Sequence, residues 1–252
     1  MPRFFVAPED ISEGKITISG QDAFHIARAL RMAVGDEITV SDGMGKEYSA
    51  ILSKIRDDVC EADVSDERIS SSESPVEITL YMAIPKGDKL ETVVQKAVEL
   101  GATHIVPFES ERCIKRPSAD KVDKLITRLS KIANEAAKQC GRAKLPVVHP
   151  IVKVADVARS VGDYDLSLFC YEAPGTRPVR SVLDECGDIR TLSAIVGSEG
   201  GFSPAEAEML VNGGAVAVGL GPRILRCETA PEYILSVVSY RFEMISGPGT
   251  LG

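Results

Sequence analysis

The residues whose types best suit chemistry are Arg223, Arg226 and Glu228, within Val218-Gly219-Leu220-Gly221-Pro222-Arg223-Ile224-Leu225-Arg226-Cys227-Glu228-Thr229-Ala230. Guanidinium groups stabilise anions and a carboxylate can take up a proton. A companion segment lies upstream, Ala194-Ile195-Val196-Gly197-Ser198-Glu199-Gly200-Gly201-Phe202-Ser203-Pro204-Ala205-Glu206. Each reads as an apolar strand that ends in a glycine-rich turn and hands over to a helix. Adjacent strand ends of this kind bind ligands in open α/β sheets, because bare backbone and helix N-termini face one crevice. One such loop is ordinarily a tight turn and nothing more; two in succession, the second carrying charged groups, point to a ligand cradle. Neither fits a phosphate-binding pattern, since no G-x-x-x-x-G-K-[ST] is present and no G-x-G-x-x-G opens a helix. Ser203-Pro204-Ala205-Glu206 combines an N-cap serine, a proline at the first helical position and a glutamate three residues after the cap. Thr229 is placed to cap the last helix in the same way.

The elements that must position these loops alternate strand and helix from Val76 onward. Apolar runs at 78–84, 104–108, 147–151, 166–171, 192–196 and 215–220 predict strands, and the final helix is predicted from about 230 to 245. Such runs separated by helices imply an α/β fold with a mostly parallel sheet covered on both faces. Residues 1 to about 70 differ. Segments 15–18, 37–41 and 47–52 alternate with period two, Asp42-Gly43 is a hairpin-type turn, and 22–32 reads as a helix. That helix sets Ala23, Ile26, Ala27 and Leu30 on one side and His25, Arg28 and Arg31 on another, a small β-barrel pattern overall. The serine-rich stretch Ser70-Ser71-Ser72-Glu73-Ser74-Pro75 marks a linker, giving domains 1–72 and 73–252.

The chain has 252 residues, enough for one or two domains with a sizeable core. Its six cysteines form no C-x-x-C pair and its three histidines are scattered, so no metal site is expected. No run approaches the roughly 18 apolar residues of a membrane span, and no signal peptide is evident, which predicts a soluble cytoplasmic protein with reduced thiols. A net charge of −8 argues at face value against a nucleic-acid partner. Residues 112–144 reverse that locally. Arg112, Lys115, Arg116, Lys121, Lys124, Arg128, Lys131, Lys138, Arg142 and Lys144 face only Asp120, Asp123 and Glu135. Within the segment Val122, Leu125, Ile126, Leu129, Ile132, Ala133 and Ala136 recur at helical spacing as a buried stripe, so the cations lie outside it. A solvated face normally mixes signs for i,i+4 pairing, and this one does not, which favours an RNA-facing role.

The G-x-E-G-G-F and L-G-x-R-I-L-R-x-E-T-A segments resemble cofactor-loop motifs of the RsmE family, S-adenosylmethionine-dependent RNA methyltransferases of the SPOUT superfamily. Lys86-Gly87-Asp88-Lys89-Leu90-Glu91, Lys96-Ala97-Val98-Glu99-Leu100-Gly101, Asn134-Glu135-Ala136-Ala137-Lys138-Gln139-Cys140-Gly141-Arg142, Arg3-Phe4-Phe5 and the stretch from His25 to Arg31 also fit, so the resemblance covers nearly the whole chain. Two positions depart from the family pattern. Ser198 stands where proline is usual, which is closer to the loop of ribose 2′-O-methylating SPOUT enzymes, and Pro231 is unusual but sterically tolerable in a first helical turn. The Ser-Leu-Asn signature of those ribose enzymes is absent.

The resemblance implies a C-terminal SPOUT domain with a trefoil knot, a PUA-like RNA-binding β-barrel, a homodimer, and methylation of N3 of a uridine in the decoding region of 16S ribosomal RNA, met as RNA or as the assembled small subunit. It implies a donor pocket of Tyr171, Gly197, Glu199, Gly200, Leu220, Gly221, Ile224, Leu225 and Arg226. Arg226 and Glu228 become the catalytic candidates: Arg226 for the uracil oxygens or a phosphate, Glu228 for the N3 proton, directly or through water. An Arg–Glu pair that merely fixes the loop stands beside that reading. Arg3, His25, Arg28, Arg31, Lys86, Arg112, Lys121, Lys124, Arg128 and Arg142 are the RNA-binding candidates. A ribose 2′-O-methyltransferase and a non-catalytic RNA-binding assembly factor remain the alternatives.

Overall fold

The computed structural model describes residues 1–113, 117–173 and 175–245. The chain divides into two compact units, one of Met1–Glu73 with Ala137–Leu145 and one of Ser74–Ala136 with Pro146–Gly252.

The first unit holds β1 (Arg3–Phe5), β2 (Ile11–Ser12), β3 (Lys15–Ser19), α1 (Gly20–Phe24), β4 (Glu37–Ser41), β5 (Lys46–Ile55) and β6 (Val59–Ile69). They form one curled sheet, a half-barrel in the order β1-β4-β5-β6-β3-β2. The β1–β4 pair is parallel and the rest are antiparallel. Period-two alternation puts Ile16, Ile18, Ile38, Val40 and Leu52 into a core completed by Phe4. In the β4–β5 turn, Asp42 accepts from the Met44 and Lys46 N–H groups at 2.7 and 3.1 Å. The helix predicted over 22–32 is shorter and begins earlier. After α1 comes a single π turn, His25–Ala29, closed by Leu30 N–H to the His25 carbonyl at 2.9 Å and Met32 N–H to Ile26 at 3.1 Å. Arg31 at φ 51° reverses the chain. Ala23 and Ile26 reach the core as expected, but Leu30 is exposed because the helix has already ended.

Arg142 and Glu73 form a buried ion pair in this unit, with Nη2 2.8 Å from Oε2. Burial raises the Glu73 pKa, but the Arg142 hydrogen bond and charge, with the Ala143 and Lys144 N–H groups, outweigh it and hold the carboxyl below its ordinary range.

The second unit holds β7 (Glu77–Ala83), α2 (Lys89–Glu99), β8 (His104–Glu109), α3 (Ala119–Cys140, whose last turn falls in the first unit), β9 (Val147–Val148), β10 (Val152–Lys153), α4 (Val154–Ser160), β11 (Leu166–Cys170), β12 (Arg177–Pro178), α5 (Val179–Glu185), β13 (Thr191–Val196), α6 (Pro204–Asn212), β14 (Val216–Gly219) and α7 (Thr229–Ser239). The sheet runs β10-β8-β7-β13-β11-β14-β12, with β9 also on β8. Every pairing is parallel. The single strand predicted at 147–151 is two short ones on the same edge of β8. Pro150 lacks an N–H, and the register gains one residue between Val148 and Val152.

Gly213 ends α6 against α4. A Cβ there would stand 2.2 Å from the Ala158 carbonyl oxygen, a backbone atom with nowhere to go. Gly213→Ala is therefore expected to destabilise the protein by about 1–3 kcal/mol, read as a lower urea midpoint at unchanged m-value.

Candidate active site

β11, β13 and β14 are neighbours, so their C-terminal ends release three loops at one edge of the sheet. Between the loops lies a cleft of about 930 Å³. All nine residues expected around the donor line it: Tyr171, Gly197, Glu199, Gly200, Leu220, Gly221, Ile224, Leu225 and Arg226. The volume falls in the usual range for a small-molecule site, roughly 300–1,000 Å³.

Local packing explains Gly197 and Gly200. A Cβ on Gly197 would lie 2.8 Å from the Phe202 ring, and one on Gly200 would lie 2.8 Å from Arg112 Cβ and 2.9 Å from its carbonyl oxygen. The turn is thus laid directly onto its neighbours. Phe202 is anchored in turn by edge-to-face contact with Phe169 (centroids 4.8 Å apart) and by Phe108 at 6.1 Å. The capping box forms as expected: Glu206 N–H donates to Ser203 Oγ at 3.3 Å and Ser203 N–H to the Glu206 carboxylate at 2.9 Å. Glu206 also accepts from Glu111 N–H at 2.6 Å.

At α7 the expectation is corrected. Thr229 is the first helical residue rather than its cap, and the Arg226 carbonyl accepts from the Thr229 and Ala230 N–H groups, both at 2.9 Å. Pro231 is buried in the first turn, where its missing N–H breaks no intrahelical bond.

Glu228 has no arginine partner among the described residues. Lys89, at the start of α2, bridges the two loops instead: its Nζ is 2.9 Å from Glu199 Oε1 and 3.1 Å from Glu228 Oε2. The two carboxylates, Glu199 first, raise the Lys89 pKa. Cys227 Sγ donates to Glu228 at 3.1 Å. That bond, the residue's own N–H and Lys89 hold the Glu228 carboxyl below its ordinary range. Burial, with Glu228 accepting its S–H, pushes the Cys227 thiol up to about 12. Glu199 is raised by burial, but Lys89 and the Lys86 N–H more than offset this and leave it low. In the sequence Lys89 is visible only inside a resembling stretch, because its contacts are to residues more than a hundred positions away.

Arg226 and Arg223 line the cleft exposed, with no ion-pair partner among the described residues. The Ser198 side-chain oxygen is buried and unpartnered among the described residues.

The RNA-binding candidates scatter more widely. Lys121 and Lys124 are exposed on α3; Arg128, also exposed, pairs with Glu91 at 2.7 Å. Lys86 is exposed before α2, and Arg112 lines the cleft, donating to the Gly200 carbonyl at 3.2 Å. In the first unit His25, Arg28 and Arg31 are exposed, Arg28 bound to Asp57, while Arg3 pairs with the buried Glu47. Arg142 is withdrawn from the RNA-facing set: it is 4% exposed and committed to Glu73. Lys115 and Arg116 lie outside the described residues.

Residues 72–239 match the family described as RNA methyltransferase domain, and residues 18–64 match the RNA methyltransferase PUA domain. The ribosomal RNA small subunit methyltransferase E of Bacillus subtilis (strain 168) is 34% identical across 98% of this chain and 99% of its own length. The chain belongs to this family. Its namesake from Synechocystis sp. is 31% identical over 96% of this chain and 78% of its own. The family's crystal structure from Neisseria gonorrhoeae, bound to S-adenosyl methionine, superposes with a TM-score of 0.84 at 32% identity, covering 95% of this chain and 97% of that one.

Both carboxylates at Lys89 have depressed pKa values, so the bridge is complete above the ordinary glutamate value of about 4.3 and is lost as pH falls through the depressed values. Lys89→Met is expected to move both Glu199 and Glu228 upward in a carbon-13 NMR titration. Unmoved titrations would show that Lys89 does not hold them.

Proposed function

We propose that this protein transfers a methyl group from S-adenosylmethionine to N3 of a uridine in the decoding region of small-subunit ribosomal RNA. The observation that carries the reading is the cleft itself, in a chain of this family: a turn whose Gly197 and Gly200 are too closely packed to carry side chains, apolar Leu220, Ile224 and Leu225, and exposed Arg226 close in sequence to ionised Glu228. The cleft suits the donor in size and in having a buried hydroxyl, that of Ser198, unpartnered among the described residues.

When bound, S-adenosylmethionine supplies an electrophilic sulfonium methyl. The protein's task is to orient the uracil and manage its charge. Arg226 offers guanidinium donors to the oxygens on which negative charge develops as N3 loses its proton. Glu228 accepts the hydrogen bond of N3–H. Its low pKa makes it a poor keeper of that proton, which passes on to water. Lys89 and Cys227 hold the carboxylate in place. The uridine is presented flipped or unstacked.

The division of labour assigns residues 73–252 to chemistry and 1–72 to RNA binding, with α3 contributing its cations. The reading carries with it a knotted C-terminal part, a cytoplasmic location and a homodimer. Exposed Tyr233, Tyr240 and Met244, repeating at helical spacing along α7 and the turn after it, support the dimer.

The reading is tested by methyl incorporation into small ribosomal subunits from a strain lacking this protein, followed by nucleoside digestion. N3-methyluridine is expected; 2′-O-methylated nucleoside would identify a ribose methyltransferase, and no incorporation together with no heat of S-adenosylmethionine binding would leave an assembly factor. Arg226→Ala is expected to slow methylation at saturating donor roughly 10²- to 10³-fold. Reversing Lys121, Lys124 and Arg128 to Glu should weaken RNA binding and spare donor binding. The slope of log K against log salt should fall by roughly 0.7–0.9 for each phosphate no longer neutralised.

A further inference from the structure

We infer that the Ser198 hydroxyl is a binding group for the methyl donor, held by the fold without a protein partner so that a polar atom of the donor supplies one. The inference rests on the donor reading above.

Ser198 follows Gly197 beyond the end of β13 and lines the cleft. The residue is 7% exposed, and its Oγ is the one buried side-chain polar atom without a hydrogen-bond partner among the described residues. Such an atom is costly, because it has lost water and gained nothing in return. Other buried serines show what this fold does with a purely structural hydroxyl. Ser167 Oγ donates to the Val161 carbonyl and accepts from Ser193 Oγ, both at 2.7 Å. Ser41 Oγ donates to the Ala143 carbonyl at 2.7 Å, and Ser203 caps α6. The turn that contains Ser198 does not use its hydroxyl either, since the Ser198 carbonyl already accepts from Gly201 N–H at 2.9 Å.

The loop backbone has little freedom to bring a protein partner closer. Gly197 is against Phe202, Gly200 is against Arg112, and Glu199 is tied to Lys86 N–H and Lys89. What remains free is rotation of one side-chain torsion among its staggered wells. A hydroxyl both donates and accepts, and a sulfonium nucleoside carrying an amino-acid chain offers hydroxyl, ammonium and carboxylate groups to meet it. The arrangement makes Ser198 a position where protein stability is given up in favour of ligand affinity.

The test uses the full chain, calorimetric titration with S-adenosylmethionine, and thermal melts without it, on wild type, Ser198→Ala and, for comparison, Ser167→Ala. Without donor, Ser198→Ala should melt above wild type, because an unsatisfied buried group is gone, while Ser167→Ala should melt below it. With donor, Ser198→Ala should bind about 5- to 10-fold more weakly, and Ser167→Ala as wild type does. Equal donor affinity in wild type and Ser198→Ala would overturn the inference while leaving the donor reading intact. A wild type that shows no binding heat would instead overturn the donor reading.

Discussion

Parallel pairing of β13, β11 and β14 is the constraint from which the site follows. Strands that run the same way end at the same edge, and the registers set Ile195 beside Phe169 and Cys170 beside Val218. The chain must therefore leave three strands at one level and turn there into a loop or helix. A slip of one residue in β11 would move Phe169, now fully buried, to the opposite face of the sheet and remove the ring on which Phe202 rests. The glycine turn would lose its floor. Hydrogen-bond register, aromatic packing and cleft shape are thus one property rather than three.

What links two loops of the cleft is charge. Lys89 comes from the start of α2 and meets Glu199 on one loop and Glu228 on the other. Partly exposed ion pairs of this kind add little to stability, so the bridge is better understood as fixing geometry and ionisation. It keeps two carboxylates negative in a cleft where burial alone would push Glu199 toward neutrality. Cys227, its thiol kept protonated, adds a hydrogen-bond donor to the same carboxylate without adding charge.

Whatever depends on near neighbours is legible in the sequence. The buried strands β7, β8, β11, β13 and β14 are visible as apolar runs, and the Ser203–Glu206 capping box as a three-residue spacing. The glycine loops stand out because a missing Cβ is a local requirement. β6 escapes a sequence reading because its outer half, Ser65 to Arg68, is exposed and polar and is kept in the sheet by pairing with β5. Arg142 reads as one more surface cation because its partner Glu73 lies 69 positions away. Lys89 does not stand out for the same reason, its partner Glu199 being 110 positions away. Composition gives the number of charges in a segment, while long-range pairing decides which of them face water.

That distinction resolves the conflict between a net charge of −8 and an RNA partner on the proposed reading. Screening limits the reach of exposed charges to about 8–10 Å at physiological salt, so an approaching phosphate senses the nearest side chains and not the sum over the chain. Of the cations at the cleft, Lys89 is already satisfied by two carboxylates, and Arg112 is partly engaged by the Gly200 carbonyl. Arg223 and Arg226 have no such partner among the described residues. An incoming anion at the cleft is therefore met by these two arginines. Glu228 is different: ionised and bound on one side to Lys89, it can accept a hydrogen bond from a neutral imide but repels a phosphate. On the proposed reading, a pocket with arginines for the charge and a pinned carboxylate for an N–H donor favours a base presented edge-on over the backbone alone.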